Sequence, residues 1–188
     1  MRVISGKFKK KKLLLPDPKI TRPLRDYIKE SIFNLLTHSK ILNFEFKNSK
    51  ILDVFSGSGS FGIECISRGS SKVIFLEKEK KIINILNKNI QSLLIENQSS
   101  IHLADILKFS VNNIFQEKLD LIFFDPPFKY KYLNELFTIL KKHNTQINQS
   151  LILIHYESNN NFNFDNFFDV LIKKNYGRSA VIFGKVKS

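Results

Sequence analysis

Ile51-Leu52-Asp53-Val54-Phe55-Ser56-Gly57-Ser58-Gly59-Ser60-Phe61-Gly62 decides the fold. Its first five residues read as a buried strand, a short apolar run carrying one acid and closing on a glycine–serine turn. The glycines then open a helix. A Gly-x-Gly-x-x-Gly loop at a strand-to-helix turn lets the backbone fold tightly and approach a ligand closely. Several nucleotide cofactors use such a loop, so the glycines alone name none of them.

Working outward, Lys72-Val73-Ile74-Phe75-Leu76-Glu77 is a second strand. Residues 80–95 repeat Ile82, Ile83, Leu86, Ile90, Leu93 and Leu94 at helical spacing. Short apolar runs at 100–103, 119–124 and 151–155 are further strands, and Leu133, Leu136, Phe137 and Leu140 mark one face of another helix. Strands alternating with helices imply βαβ units and a mostly parallel sheet. The last two strands, 168–174 and 179–185, are joined only by Asn175-Tyr176-Gly177-Arg178. A linker that short permits an antiparallel hairpin and forbids a parallel crossover. The predicted architecture is therefore α/β and Rossmann-like, a mostly parallel seven-stranded sheet ending in an antiparallel hairpin. S-adenosylmethionine methyltransferases have that sheet, whereas dinucleotide dehydrogenases are usually parallel throughout.

With 188 residues, 43% of them apolar, the chain has the length of one full domain. Residues 1–40 are expected to form a basic hairpin and helix that bind substrate, and residues 50–188 the catalytic core. Residues 3–7 and 11–15 can pair as the hairpin. Thr21 is the predicted N-cap of the helix, with Pro23 in its first turn and Ile28, Ile32, Leu35 and Leu36 as its apolar stripe. Cys65 is the only cysteine, so no disulfide or thiolate cage forms within one chain, and a cytoplasmic location is expected. No secretory signal and no membrane span is legible. His38, His102, His143 and His155 show no ligand spacing, so no metal is expected.

The net charge of +13 points to a polyanionic partner, most simply nucleic acid. An AT-rich genome would also enrich lysine. Distribution favours the functional reading: Arg2, Lys7, Lys9, Lys10, Lys11 and Lys12 fall within twelve residues that hold no acid.

Asp53 stands at the strand end, where a carboxylate can hold the ammonium of S-adenosylmethionine and would repel a pyrophosphate. Glu77 ends the second strand, placed for the ribose hydroxyls. Asp105 follows the third strand, where it can accept from an adenine amino group or cap the next segment. Phe55, Gly57, Gly59, Gly62 and Ile106 complete the expected cofactor set.

Asp125-Pro126-Pro127-Phe128 follows the fourth strand, at the same edge of the sheet. The lone pair of an aromatic exocyclic amine is delocalised into its ring, which makes the amine a poor nucleophile. Acceptors set against its two N–H bonds localise that pair. Asp125 supplies a carboxylate and Pro126 a carbonyl, the prolines restrict the loop and remove donors, and Phe128 can stack on the base. The competing reading is a strand ended by two prolines with Phe128 in the core.

The chain resembles the bacterial RsmD family of 16S rRNA guanine-N2 methyltransferases. The resemblance runs from Met1-Arg2-Val3-Ile4-Ser5-Gly6-Lys7 through Thr21-Arg22-Pro23 and Glu30-Ser31-Ile32-Phe33-Asn34-Leu35-Leu36. It continues in Asp53-Val54-Phe55-Ser56-Gly57-Ser58-Gly59, Phe124-Asp125-Pro126-Pro127-Phe128 and the closing Tyr176-Gly177. It implies methyl transfer from S-adenosylmethionine to N2 of a guanine of the position-966 type, with an assembling small ribosomal subunit as substrate. It also implies that the enzyme is a monomer. In that reading Arg2, Lys7 and Lys9 to Lys12 contact phosphates, and Arg22 lies at the active-site mouth or pairs with Asp26. Leu24 stands where the family usually has Thr, Phe128 where many members have Tyr, and the basic run is all lysine where relatives carry more arginine. Related loops also methylate adenine in nucleic acid and glutamine in protein, and a non-catalytic RNA-binding protein could keep the fold.

Overall fold

In Lys50–Val54 (β1) successive side chains face opposite sides of the sheet. Both sides are apolar. Ile51 joins one buried cluster with Phe61, Phe75 and Phe123, while Leu52 and Val54 join another with Ile74, Ile122 and Phe137. A strand apolar on both faces belongs inside a helix-covered parallel sheet, and that is where β1 lies. The computed structural model describes residues 1–17, 24–108, 112–115, 118–128, 130–160 and 162–187.

The remaining elements are Asp26–His38 (α1), Ser60–Ser67 (α2), Lys72–Glu77 (β2), Lys80–Leu93 (α3), Ser99–Leu103 (β3), Asn112–Phe115 (α4) and Leu121–Phe124 (β4). Leu133–Lys142 (α5), Asn144–Ile147 (α6), Leu151–Glu157 (β5), Phe168–Tyr176 (β6) and Ser179–Val186 (β7) follow. One seven-stranded sheet runs β3-β2-β1-β4-β5-β7-β6. The strands from β3 to β5 pair in parallel, and β7 is antiparallel to both its neighbours. The expected fold class is the observed one. Strand order reverses between β1 and β4, the switch point at which open α/β sheets bind ligands.

Register sets what meets at that edge. Val54 is level with Leu76 and with Phe124, and Phe124 is level with Ile154. The next residues along, Phe55, Glu77, Asp125 and His155, therefore leave neighbouring strands side by side.

The closing hairpin is tighter than its sequence suggests, because β6 extends to Tyr176. Tyr176 pairs with Ser179 around a two-residue loop, Gly177-Arg178. The N-terminal hairpin departs from expectation. Instead of strands 3–7 and 11–15, one antiparallel bridge joins Arg2 to Lys12, and turns fill the space between. Val3 still donates to the Lys11 carbonyl and Leu13 to the Met1 carbonyl, but the donors that would extend the pairing go to α2. Ile4 and Ser5 donate to the Glu64 carboxylate at 2.7 and 2.9 Å, and Lys7 to the Ser67 carbonyl at 2.8 Å. Val3, Phe8 and Leu13 then pack with Ile28, Ile32 and Phe33 of α1.

Helix α1 begins at Asp26, with Arg25 at the N-cap position and no capping side chain. The expected cap, Thr21, and Pro23 lie outside the described residues. Its buried face is Ile28, Lys29, Ile32, Phe33 and Leu36, while Leu35 is only half-buried. The stripe is thus rotated from the predicted one and carries a lysine.

Candidate active site

Helix α2 has no capping side chain of its own, since its N-cap is Gly59. Asp53 substitutes from β1. Its Oδ2 accepts the Gly62 N–H at 3.0 Å, one of the donors that the first turn of a helix leaves unpaired. Burial pushes the Asp53 carboxyl up to about 8, against the opposing pull of that N–H, and the Asp125 and Glu77 carboxylates push it further in the same direction. Glu77 organises the other side of the loop. Its carboxylate accepts Gly57 N–H at 3.0 Å and Glu79 N–H at 2.9 Å. Each oxygen retains acceptor capacity after those bonds.

The glycines have different duties. Gly57 lies in the left-handed region at φ +56°, and a Cβ there would meet only the Phe55 carbonyl, at 4.0 Å. Gly59, at φ +79°, presses on α3, where a Cβ would come within 2.3 Å of Leu86. Gly62 is a packing position against Val73 and Phe75. Only Gly57 of the three lines the cavity.

That cavity, about 740 Å³, lies over the switch point. Asp53, Phe55, Gly57 and Glu77 line it, together with the whole of Asp125-Pro126-Pro127-Phe128. The glycine loop and the proline loop therefore share one chamber, of a size that holds a small-molecule ligand. Pro16, Leu24, Arg25 and Ile28 form a further wall, contributed by the N-terminal segment. Asp105 and Ile106 do not reach this chamber. They line a small depression that shares Phe55, Glu77 and Lys78 with it. Asp105 Oδ1 accepts the Leu107 N–H at 3.0 Å, so it ties a turn and caps no helix.

Phe55 is a non-glycine residue at φ +62°, with its ring edge-on to Tyr130 at 5.2 Å between centroids. Strained backbone of this kind persists only where the surroundings hold it.

In the proline loop, the Pro127 carbonyl closes a turn by accepting the Tyr130 N–H at 2.7 Å. Among the described residues, the Pro126 carbonyl accepts no hydrogen bond. Asp125 Oδ1 lies 2.7 Å from Nδ1 of His155, whose ring sits 5.7 Å from that of Phe128. In the sequence His155 is one of four histidines without ligand spacing, and nothing local marks it. The signal was there in the register, because β4 and β5 each send one residue past the same level.

A second missed group anchors the N-terminal segment. Glu64, fully buried in α2, accepts the Ile4 and Ser5 N–H groups and Arg68 Nε at 2.9 Å, and lies 3.5 Å from the buried Lys29 Nζ. Burial pulls the Lys29 ammonium down, and Glu64 opposes that pull. A lone acid inside the apolar run Ile63-Glu64-Cys65-Ile66 was the signal.

Arg2, Lys7 and Lys9 to Lys12 are exposed on the loop that this anchor holds, and none forms an ion pair among the described residues. Arg22 lies outside the described residues.

A family model described as conserved hypothetical protein 95 matches residues 1–185. Ribosomal RNA small subunit methyltransferase D of Buchnera aphidicola (subspecies Baizongia pistaciae) is 37% identical over 158 residues, 84% of this chain and 76% of that protein. This chain belongs to the RsmD family. Among solved structures, the Escherichia coli protein yhhF matches this RsmD-family chain with a TM-score of 0.80 at 23% identity, covering 100% and 98% of the two chains. An RNA methyltransferase from Salinibacter ruber, solved with S-adenosyl-L-homocysteine, matches with a TM-score of 0.63 at 11% identity, covering 88% of this chain and 94% of that one. At those identities the likeness is one of fold.

The residues present fit S-adenosylmethionine on chemical grounds. In a chain of net charge +13, the described residues of the cavity wall include the carboxyl groups of Asp53, Glu77, Glu79 and Asp125 against the cations Arg25 and Lys78. Asp53 is held protonated near neutral pH until a cation binds beside it. An acidic chamber in a basic protein suits a cationic cofactor and disfavours a pyrophosphate. Asp53 and Glu77 would hold its amino-acid and ribose ends, with Gly57 leaving the backbone open to approach. Among the described residues no cluster of metal-ligating side chains occurs, and no helix is long and apolar enough to cross a membrane.

Proposed function

We propose that this RsmD-family chain transfers a methyl group from S-adenosylmethionine to the exocyclic N2 of a guanine, of the position-966 type, in 16S rRNA. Its substrate is the assembling small ribosomal subunit, and it acts in the cytoplasm as a monomer. One observation carries the reading: Asp125-Pro126-Pro127-Phe128 lines the same acidic chamber as Asp53, Gly57 and Glu77. The name of the Buchnera relative supplies the rRNA substrate, and the resemblance of the N-terminal motifs supplies guanine N2.

When bound, S-adenosylmethionine supplies a methyl group activated by its sulfonium. The chain supplies geometry. Asp125 and the Pro126 carbonyl accept the two N–H bonds of the target amine and aim its lone pair into the chamber. The two prolines hold both acceptors in place before substrate arrives, so little reorganisation is needed during transfer. The proton that the amine gives up passes to the Asp125 oxygen opposite His155. Phe128 offers a ring face for the base, which must leave its stack to enter. Alignment of this kind contributes on the order of 7–11 kcal/mol to lowering a barrier. Lys9 to Lys12, on their anchored loop, meet phosphates outside the chamber.

The test offers labelled S-adenosylmethionine and small subunits from cells lacking this protein. Label recovered as N2-methylguanosine at one site is the expected result. Label in DNA, in adenine or in protein glutamine, or none at all, would overturn the assignment.

A further inference from the structure

We propose that His155 is a positioning residue for methyl transfer, acting through Asp125. The inference rests on the reading of Asp125 as the acceptor for the target amine.

The geometry is specific. His155 is buried, and its Nδ1 lies 2.7 Å from Asp125 Oδ1. An ionised carboxylate only accepts, so the imidazole Nδ1 donates. That bond is made by the residue immediately past Phe124–Ile154, a parallel-paired couple in the middle of the sheet, so rigid strands position both partners. It engages one carboxylate oxygen and leaves the other to the amine. The Phe128 ring lies against the imidazole, so a single side chain braces both the acid and the aromatic of the reaction loop.

The other end of the imidazole argues against a packing role. Among the described residues, Nε2 is buried without a hydrogen-bond partner. A buried polar atom left unpaired is destabilising. A core position selected for stability alone would hold an apolar residue here. What the histidine offers that an apolar residue would not is the bond from Nδ1 to Asp125. His155 reaches the chamber wall, but Nε2 is enclosed by protein, so the polar contact it makes there is the one from Nδ1 to Asp125.

Two variants separate the roles. His155→Leu keeps bulk and removes the donor. His155→Asn keeps a donor attached to the same γ carbon as Nδ1. Expected for Leu is a fall in kcat of about 10- to 100-fold, the range for losing a hydrogen bond to a charged group. Its KM for S-adenosylmethionine and its thermal midpoint should stay near wild type, and Asn should recover most of kcat. Full activity in Leu, equal loss in Leu and Asn, or joint loss of cofactor binding and thermal stability would each overturn the inference. Nitrogen-15 NMR of the imidazole supplies a readout independent of substrate: the Nδ1–H tautomer is expected, and it should change in Asp125→Asn. Absence of that tautomer overturns the inference whatever the enzyme methylates. A wild type that shows it and fails on rRNA instead overturns the substrate assignment.

Discussion

The Glu64 carboxylate accepts the Ile4 backbone N–H at 2.7 Å, which fastens the N-terminal loop to the helix that follows the glycine loop. The same group takes Ser5 N–H and Arg68 Nε and faces Lys29, all out of reach of solvent or nearly so. Breaking a buried charged pair by deleting one partner typically costs about 3–5 kcal/mol, because the other charge is stranded. Glu64→Ala should lower stability by that order in urea unfolding, and amide exchange at Ile4 and Ser5 should accelerate. Unchanged exchange there would mean that the apolar contacts of Val3 and Phe8 hold the loop by themselves. Adding Lys29→Met to Glu64→Ala should restore part of the loss, since no buried ammonium is then stranded.

Asp53 makes the chamber sensitive to pH. Its carboxyl is pushed up to about 8 in the folded chain, chiefly by burial, and returns to its ordinary value near 3.8 on unfolding. Between those values the folded state binds the extra proton, so stability falls as pH rises from about 4 to about 8. Asp53→Asn should flatten that slope and gain relative to wild type at the alkaline end. Binding a cationic ammonium beside Asp53 favours the carboxylate and pulls the value down. Cofactor binding near neutral pH should therefore release protons and tighten as pH rises towards 8. Calorimetry in buffers of different ionisation enthalpy measures the release, and no release would place the ammonium away from Asp53.

Most of the fold was legible because strand and helix periods differ and because the two glycine-rich and proline-rich loops each punctuate a strand end. Asp53, Glu77 and Asp125 stand out as acids within or just past apolar strands, and Gly57 through the glycine spacing of the loop that follows β1. Three features were not legible from periodicity. The N-terminal hairpin is cut short to one bridge because the Ile4 and Ser5 N–H groups bind the distant Glu64 carboxylate, a tertiary contact that no local pattern encodes. Gly62 looked like a ligand position and is a helix–sheet contact, since spacing cannot tell a close approach to a cofactor from one to Phe75. His155 was overlooked because its meaning depends on the register of β5 against β4.

Gly57 and Gly59 should fail differently when each is changed to alanine. Both carry positive φ, which costs an L residue roughly 1–2 kcal/mol. At Gly57 the new methyl points into open space over the loop, so the effect should fall mainly on cofactor affinity. At Gly59 it collides with the buried Leu86 side chain, so stability should drop further while any folded fraction still binds. Thermal unfolding with and without S-adenosylmethionine separates the two. A Gly59→Ala protein as stable as Gly57→Ala would show that α3 yields easily.

Asp125 and Glu77 should divide chemistry from binding. Removing one preorganised polar group that acts on the reacting atoms commonly costs about 10²–10³ in kcat. Asp125→Ala should lose at least that much while S-adenosylmethionine binding stays within a few-fold of wild type. Glu77→Ala removes the expected partner of the ribose and also frees the Gly57 and Glu79 amides. Its cofactor affinity should fall about 10- to 100-fold, the range for a hydrogen bond to a charged group. Equal loss of binding in both variants would mean that Asp125 contacts the cofactor rather than the amine.

The lysines of the anchored loop invite the sharpest test of the charge argument, because a compositional excess and a phosphate contact respond differently to salt. A protein that releases counterions from a single-stranded target loses about 0.7 in the slope of log affinity against log salt for each phosphate it neutralises. If Lys9, Lys10, Lys11 and Lys12 each meet one phosphate, replacing all four by alanine should reduce that slope by about 3, weakening binding at low salt far more than at high salt. Replacing four exposed lysines elsewhere, such as Lys40, Lys47, Lys141 and Lys142, is the control, and its slope should stay close to wild type. The loop variant should keep its stability, because the Glu64 anchor uses the backbone of Ile4 and Ser5 and none of these side chains. Equal slopes for the loop variant and the wild type would assign these lysines to composition, and the surface that grips the RNA would have to be sought elsewhere around the chamber.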